Sequence, residues 1–147
     1  MNFQQTAVVQ TATVSSAATD ALLKAALEAA SGLGFEAAVA VVDAGGALKG
    51  FTRSDGAAFL TVDVAIGKAW TAASYGYPTH VWNEYVADPK VAPLANLPRM
   101  MPVGGGYPLL HEGKLVGGIG ISGGNYQQDQ DAAANALRQL GFEVVGA

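Results

Sequence analysis

The chain of 147 residues has no cysteine, which excludes disulfides, thiolate catalysis and cysteine-ligated metals. Nitrogen ligands are scarce as well, being limited to His80 and His111. Charge is sparse, with 14% of residues Asp, Glu, Lys or Arg against the usual quarter. A surface so poor in charge does little to keep chains apart, and this predicts self-association. The eight Lys and Arg are scattered singly in a chain of net charge -4, so the basic patch that nucleic acid requires is missing. No apolar run approaches the roughly twenty residues that span a bilayer, and the start, MNFQQTAVVQTATVSS, lacks a basic segment followed by an apolar one. The expectation is one soluble, cytoplasmic domain without a nucleic-acid or membrane partner.

Half of the residues are hydrophobic, and their spacing sketches the elements. Ser15 or Ser16 can cap a helix that runs to about Gly32, with Leu22, Leu23, Ala26, Leu27 and Ala30 on one side. Residues 37–42 and 47–52 form a hairpin turned at Asp43-Ala44-Gly45-Gly46. From Phe59 the spacing becomes helical, with Phe59, Val62, Ile66, Ala69 and Ala73 in a stripe and Lys68 on the far side. Residues 77–102 hold five of the six prolines and read as a long irregular segment with one helical turn, of a length that is usually functional. A second hairpin, 107–110 and 114–121, turns at Glu112-Gly113. The last helix runs from about Asn125, where Asn125 and Gln128 suit a capping box, to Leu140. Hairpins separated by helices predict an α+β fold, an antiparallel sheet of about five strands with helices packed on it.

Residues 102–124, PVGGGYPLLHEGKLVGGIGISGG, hold nine of the nineteen glycines. Gly118-Ile119-Gly120-Ile121-Ser122-Gly123 matches the dinucleotide fingerprint G-x-G-x-x-G. That reading needs a second strand and a ribose-binding half, for which the 24 residues after Gly123 leave no room. Period two accounts for the pattern better: Leu115, Gly117, Ile119 and Ile121 share one face, and Val116, Gly118, Gly120 and Ser122 the other. Glycines aligned on one face of a strand call for close approach of a helix of the same chain or of a ligand resting on Gly118, Gly120 and Ser122. Gly104-Gly105-Gly106 either turn their amides toward an anion or form a bulge at the strand's entry.

Several stretches together carry a family resemblance. Residues 40–46 (AVVDAGG), 53–57 (RSDGA), 67–72 (GKAWTA), 104–108 (GGGYP) and 113–124 (GKLVGGIGISGG), followed by Gln128-Asp129, resemble the GlcG/HbpS family in order and spacing from about Phe35 to Gly141. The resemblance implies a profilin-like sandwich assembled into dimers or larger rings such as octamers. It also implies a small-molecule ligand, since relatives include haem-binding and haem-degrading proteins and the C-terminal domain of a corrinoid-enzyme partner; others sit near glycolate or aromatic catabolism in bacteria. In haem-binding relatives a histidine of the N-terminal helix can ligate iron, whereas residues 16–32 here contain none. Haem as a cofactor would therefore take its axial ligand from His80, which lies among Tyr77, Trp82 and Tyr85, or from His111 beside the hairpin turn, whose other reading is a solvated turn residue.

An enzyme built on this chain would have to work with carboxylates, two histidines, arginine and backbone amides. A small organic acid held by Arg99 or Arg53 and the glycine amides, with Asp55 or His80 moving a proton, is one coherent arrangement. The other reading of Asp55 is a helix-start cap, and Lys68 and Asp129 read as surface or interface charges. The site candidates are thus Asp55, His80 and Arg99 for chemistry, and Gly104, Gly105, Gly106, Gly118, Gly120, Ser122, Trp82 and Tyr85 for a ligand. Three functions remain open at this point: a haem or tetrapyrrole binder, an isomerase or hydrolase of a small organic acid, and a non-catalytic assembly subunit.

Overall fold

The computed structural model describes residues 2–146. Their elements are a single turn α1 (Phe3–Thr6), α2 (Ser16–Gly32), β1 (Ala38–Asp43), β2 (Leu48–Arg53), α3 (Leu60–Tyr75), α4 (Thr79–Tyr85), a 3-10 turn (Ala92–Asn96), β3 (Gly106–His111), β4 (Lys114–Ser122) and α5 (Tyr126–Gln139). The strands form one antiparallel sheet in the order β2-β1-β4-β3. It has four strands rather than about five, because the extended start touches the sheet only locally: the Val14 N–H donates to the Val116 carbonyl, and Thr13 Oγ1 accepts from Ala44 N–H.

The element boundaries follow local chemistry. Ser15 caps α2 by accepting from Ala18 N–H at 3.1 Å. At α5 the capping box is complete, with Asn125 accepting from Gln128 N–H and Gln128 from Asn125 N–H. Asp43 holds the first hairpin by accepting from both Gly45 and Ala47 N–H. The second hairpin turns on two left-handed residues, Glu112 and Gly113, the torsions that a two-residue turn needs to follow strand twist.

The sheet separates two layers. Val39, Val41, Tyr107, Leu109, Ile119 and Ile121 face α2 and α5, while Ala38, Ala40 and Val42 face Ala65, Ala69 and Ala73 of α3. The alternation along β4 departs from strict period two. Leu115 pairs with Leu110 but Gly117 pairs with Leu109, so Val116 is an extra residue in the ladder. Across this bulge the faces exchange: Val116 joins the α2/α5 core, and Leu115 turns toward the α3 side, against Gly76.

In helix α3 the expected stripe holds at Ile66, Ala69 and Ala73, which pack on the sheet, and fails at its start. Phe59 is 86% exposed, whereas Lys68, expected on the far side, is buried. The cause is the glycine-bared side of β4. A Cβ on Gly118 would strike the Ala69 carbonyl oxygen, and one on Gly120 would strike the Ala65 carbonyl oxygen. The helix backbone rests directly on the strand, a contact open only to small residues on the facing side of the helix. The neighbour that those glycines admit is therefore α3 of the same chain.

Candidate functional site

The segment 77–102 is more regular than its prolines suggest, because α4 and the 3-10 turn both fall within it. Gly76 ends α3 in the left-handed region at φ 77°, and Pro78 starts α4. Thr79 then fixes α4 to the sheet by accepting from Gly106 N–H at 2.8 Å. This places the aromatic residues of α4 beside the last turn of α3. Trp82 has Tyr75 at 5.9 Å and Tyr85 at 5.8 Å between ring centroids, both inclined. Tyr75, Tyr77, Val81, Trp82, Tyr85 and Leu94 line a cavity of about 500 Å³.

The lining of this cavity is mostly apolar, and three of its residues, Tyr75, Tyr77 and Tyr85, are each more than half exposed. Trp82 is buried, and its Nε1–H has no acceptor. Such a surface suits a flat, apolar ligand with a few polar edges. Trp82 and Tyr85, both anticipated from sequence, are thus brought together, and Tyr75 of α3 is an addition that the sequence placed in a different element.

His80 lies one residue from the cavity lining but faces elsewhere. Its ring packs edge-on to Tyr107 at 5.7 Å, and Nε2 is 2.6 Å from the Gly146 carbonyl oxygen. A carbonyl only accepts, so Nε2 carries the proton, and Nδ1 is left buried without a partner. His80 lines a second cavity of about 550 Å³ with Asn83, Glu84, Val103, Gly104, Tyr126 and Gln130. Arg99 lines a third, of about 470 Å³, with residues 45–48, Ile66 and Trp70.

Asp55 is exposed in the turn before α3 and lines none of these three cavities. It is not the helix cap either, because α3 begins after Phe59 without a side-chain cap. Asp55, His80 and Arg99 are therefore not gathered into one site. His111 is exposed at the hairpin turn, 3.9 Å from its neighbour Glu112. Ser122 is buried at the end of β4, opposite Ala38.

Two of the three glycines at 104–106 are consumed by packing. Gly105 sits at φ 124°, where a Cβ would lie 2.8 Å from both Lys68 Nζ and Asp129 Cβ, and a Cβ on Gly106 would press on the Lys68 carbonyl. The pair they cover is one that sequence reasoning assigned to the surface. Lys68 Nζ lies 2.9 Å from Asp129 Oδ2, with side-chain exposures of 1% and 4%, and also donates to the Ile121 carbonyl. Asp129 Oδ1 accepts from Gly124 N–H. Burial lowers the Lys68 pKa and raises that of Asp129, each against the pull of its partner. The overlooked signal was a lysine at the 61, 65, 68, 72 spacing, among residues that are otherwise Thr and Ala.

Comparison with known proteins gives this geometry a context. Residues 14–138 match the family model described as haem degrading protein HbpS-like. The chain is 37% identical over 124 residues to the corrinoid adenosyltransferase PduO of Salmonella typhimurium, covering 81% of this chain but spanning only 36% of that protein's length. The crystal structure of a PduOC:haem complex superposes with a TM-score of 0.83 at 32% identity, over 90% of this chain and 98% of the other. A double mutant of HbpS from Streptomyces reticuli superposes with a TM-score of 0.85 at 31% identity, over 90% of each chain. With its sheet, its helix layers and most of its length in common with these proteins, the chain belongs to the HbpS-like family.

Proposed function

We propose that this protein is a self-associating binder of haem or a related flat tetrapyrrole, held in the aromatic cavity between α3 and α4. The observation that carries this reading is the cavity itself, an apolar hollow of about 500 Å³ walled by an indole and three phenols. Membership of a family described as haem degrading, and a relative of known structure in complex with haem, support the same ligand class.

Among the described residues, no nitrogen ligand lines the aromatic cavity. Helix α2 offers no histidine, His111 is on an exposed turn outside the cavity lining, and His80 is directed at Gly146. The phenols of Tyr75, Tyr77 and Tyr85 line the cavity, and a tyrosine oxygen is an established haem ligand in proteins. The residues that would hold a macrocycle are Tyr75, Tyr77, Val81, Trp82 and Tyr85, with a phenol oxygen among them able to act as iron donor. Haem would supply a redox-active metal and a visible chromophore; the chain would bind it and limit its contact with water.

Haem titration tests this directly. The expected result is a saturable shift of the Soret band together with quenching of Trp82 fluorescence. Trp82→Ala should weaken binding about tenfold or more, because aromatic stacking and burial are both lost. Phenylalanine at the ligating tyrosine should change the spectrum, whereas His80→Ala should leave it unchanged. A spectrum that only adds to that of free haem would overturn the proposal, and loss of the shift in His80→Ala alone would move the site to the His80 cavity.

A further inference from the structure

Arg99 occupies a backbone position that its own side chain does not favour. Residues 97–100 form a turn closed by Met100 N–H donating to the Leu97 carbonyl, with Pro98 second and Arg99 third at φ 75°. A positive φ at the third position after proline is type II geometry, for which glycine is the unstrained choice. Helix α3 nevertheless fixes this turn firmly. Thr71 Oγ1 donates to the Arg99 carbonyl and accepts from Met101 N–H. Gly67 leaves room for the turn, since a Cβ there would come 2.9 Å from the Arg99 carbonyl oxygen.

The strained residue presents its guanidinium in a defined place. Its Cζ lies 5.9 Å from the centre of the Trp70 ring, within cation–π range, at the edge of the cavity of about 470 Å³. Leu48, Ile66 and Trp70 supply the apolar part of its lining, most of which is polar. Among the described residues no carboxylate lies within ion-pair distance of Arg99. The guanidinium is exposed and charged, with one face on an indole and its donor edges free.

The remaining wall limits what could bind. In the β1–β2 turn, Ala44 N–H donates to Thr13, Gly45 and Ala47 N–H to the Asp43 side chain, and Gly46 N–H to the Asp43 carbonyl. These amides are already satisfied, so they form no anion cradle. No lysine and no second arginine lines the cavity. One guanidinium without auxiliary donors matches a monoanion, and the side chains of Leu48, Ile66 and Trp70 on one side leave contact for only a small hydrocarbon body.

From the Arg99–Trp70 pair and its cavity we infer a second binding site, for a monocarboxylate with an aryl or short alkyl body. The carboxylate takes the two outer nitrogens of Arg99, and the body lies against Trp70, Ile66 and Leu48. This site shares no lining residue with the aromatic cavity and stands independently of the haem proposal.

The experiment uses Trp82→Phe, which leaves Trp70 as the sole indole. Benzoate should then change Trp70 fluorescence saturably, while benzyl alcohol and phenylphosphonate bind about tenfold more weakly or worse. Arg99→Lys should lose about tenfold, because it keeps the charge but not the paired donors. Arg99→Gly should abolish benzoate binding while raising the thermal midpoint, since glycine relieves the turn; loss of binding in this variant cannot then be attributed to misfolding. If Trp82→Phe fails to fold, ligand-observed NMR with the wild-type chain and Arg99→Gly decides the same question. Equal binding of benzoate and benzyl alcohol, undiminished benzoate binding by Arg99→Gly, or no saturation by on the order of 10 mM benzoate would overturn the inference.

Discussion

Lys68 of α3 and Asp129 of α5 meet at 2.9 Å past the end of β4, so an ion pair almost wholly withdrawn from water ties the two helix layers of the sandwich together. Burying both charges is costly, and the pair holds because each end has a further partner, the Ile121 carbonyl for Lys68 and Gly124 N–H for Asp129. Removing one member leaves the other charged and dry. Asp129→Ala should therefore destabilise the fold by about 3–5 kcal/mol, whereas Lys68→Met combined with Asp129→Leu should recover most of that loss. Denaturant midpoints of the two single variants and the double variant, closed as a thermodynamic cycle, check the coupling. Additive losses would show that the two side chains act separately.

The glycines of β4 allow a sharper test, because the atoms they would strike belong to backbone. Gly120→Ala sets a methyl against the Ala65 carbonyl and Ala69 nitrogen, and Gly118→Ala sets one against the Ala69 carbonyl and Ala73. No side-chain rotation relieves either clash, so α3 must lift. Each substitution should destabilise by about 1–3 kcal/mol or more, as overpacking does. Gly113→Ala is the control for added bulk in open space, although at φ 78° it carries turn strain of its own. Urea unfolding of the three variants ranks them.

These cases show what could be read from the chain and what could not. Caps and turns are local, and Ser15, Asn125 with Gln128, Asp43 and Gly113 all act within a few residues of where they stand. The alternation of β4 was legible from Gly117 onward but not across the bulge at Val116, which depends on how the strand pairs with β3 and so lies beyond any pattern within one segment. The α3 stripe was legible at Ala69 and Ala73, but Phe59 was misplaced because at the start of the helix the bare sheet selects the small side chains of Thr61 and Ala65 instead. The aromatic cavity was half legible: Trp82 and Tyr85 are neighbours in sequence, but Tyr75 joins them only because Gly76 reverses the chain. The Lys68–Asp129 pair spans 61 positions, and no local signal marks it as a pair.

Tyr107 supplies a pH test. Its ring is buried between the sheet and α5, and burial, the largest influence, raises the phenol pKa above 10.0; Asp131 adds to this, while Arg138 and Gln130 oppose it. The folded state thus keeps the proton in a range where the unfolded chain has released it. The stabilisation is complete below pH 10.0 and is lost as pH rises through the folded value. Alkaline titration should show a tyrosinate absorbance step that coincides with loss of structure, and Tyr107→Phe should abolish that step and extend the folded range upward. A step in Tyr107→Phe identical to that of the wild type would refute the assignment.

Self-association follows from the placement of Phe59. This residue and Leu60 are 86% and 69% exposed at the start of α3, and their side chains have no role in the packing of the helix on the sheet. A chain with so few charges has little to counter the attraction between such surfaces. Light scattering should therefore find a species larger than one chain at micromolar concentration. Phe59→Asp with Leu60→Asp should raise the dissociation constant about tenfold or more if these residues anchor the contact, because buried aromatic anchors dominate association energy. The folded chain itself should be unaffected, and circular dichroism separates the two effects. A wild-type protein that scatters as a single chain would remove the premise. An oligomer that survives the double aspartate variant would instead place the contact elsewhere, with the exposed tyrosines around the Trp82 cavity the next surface to test.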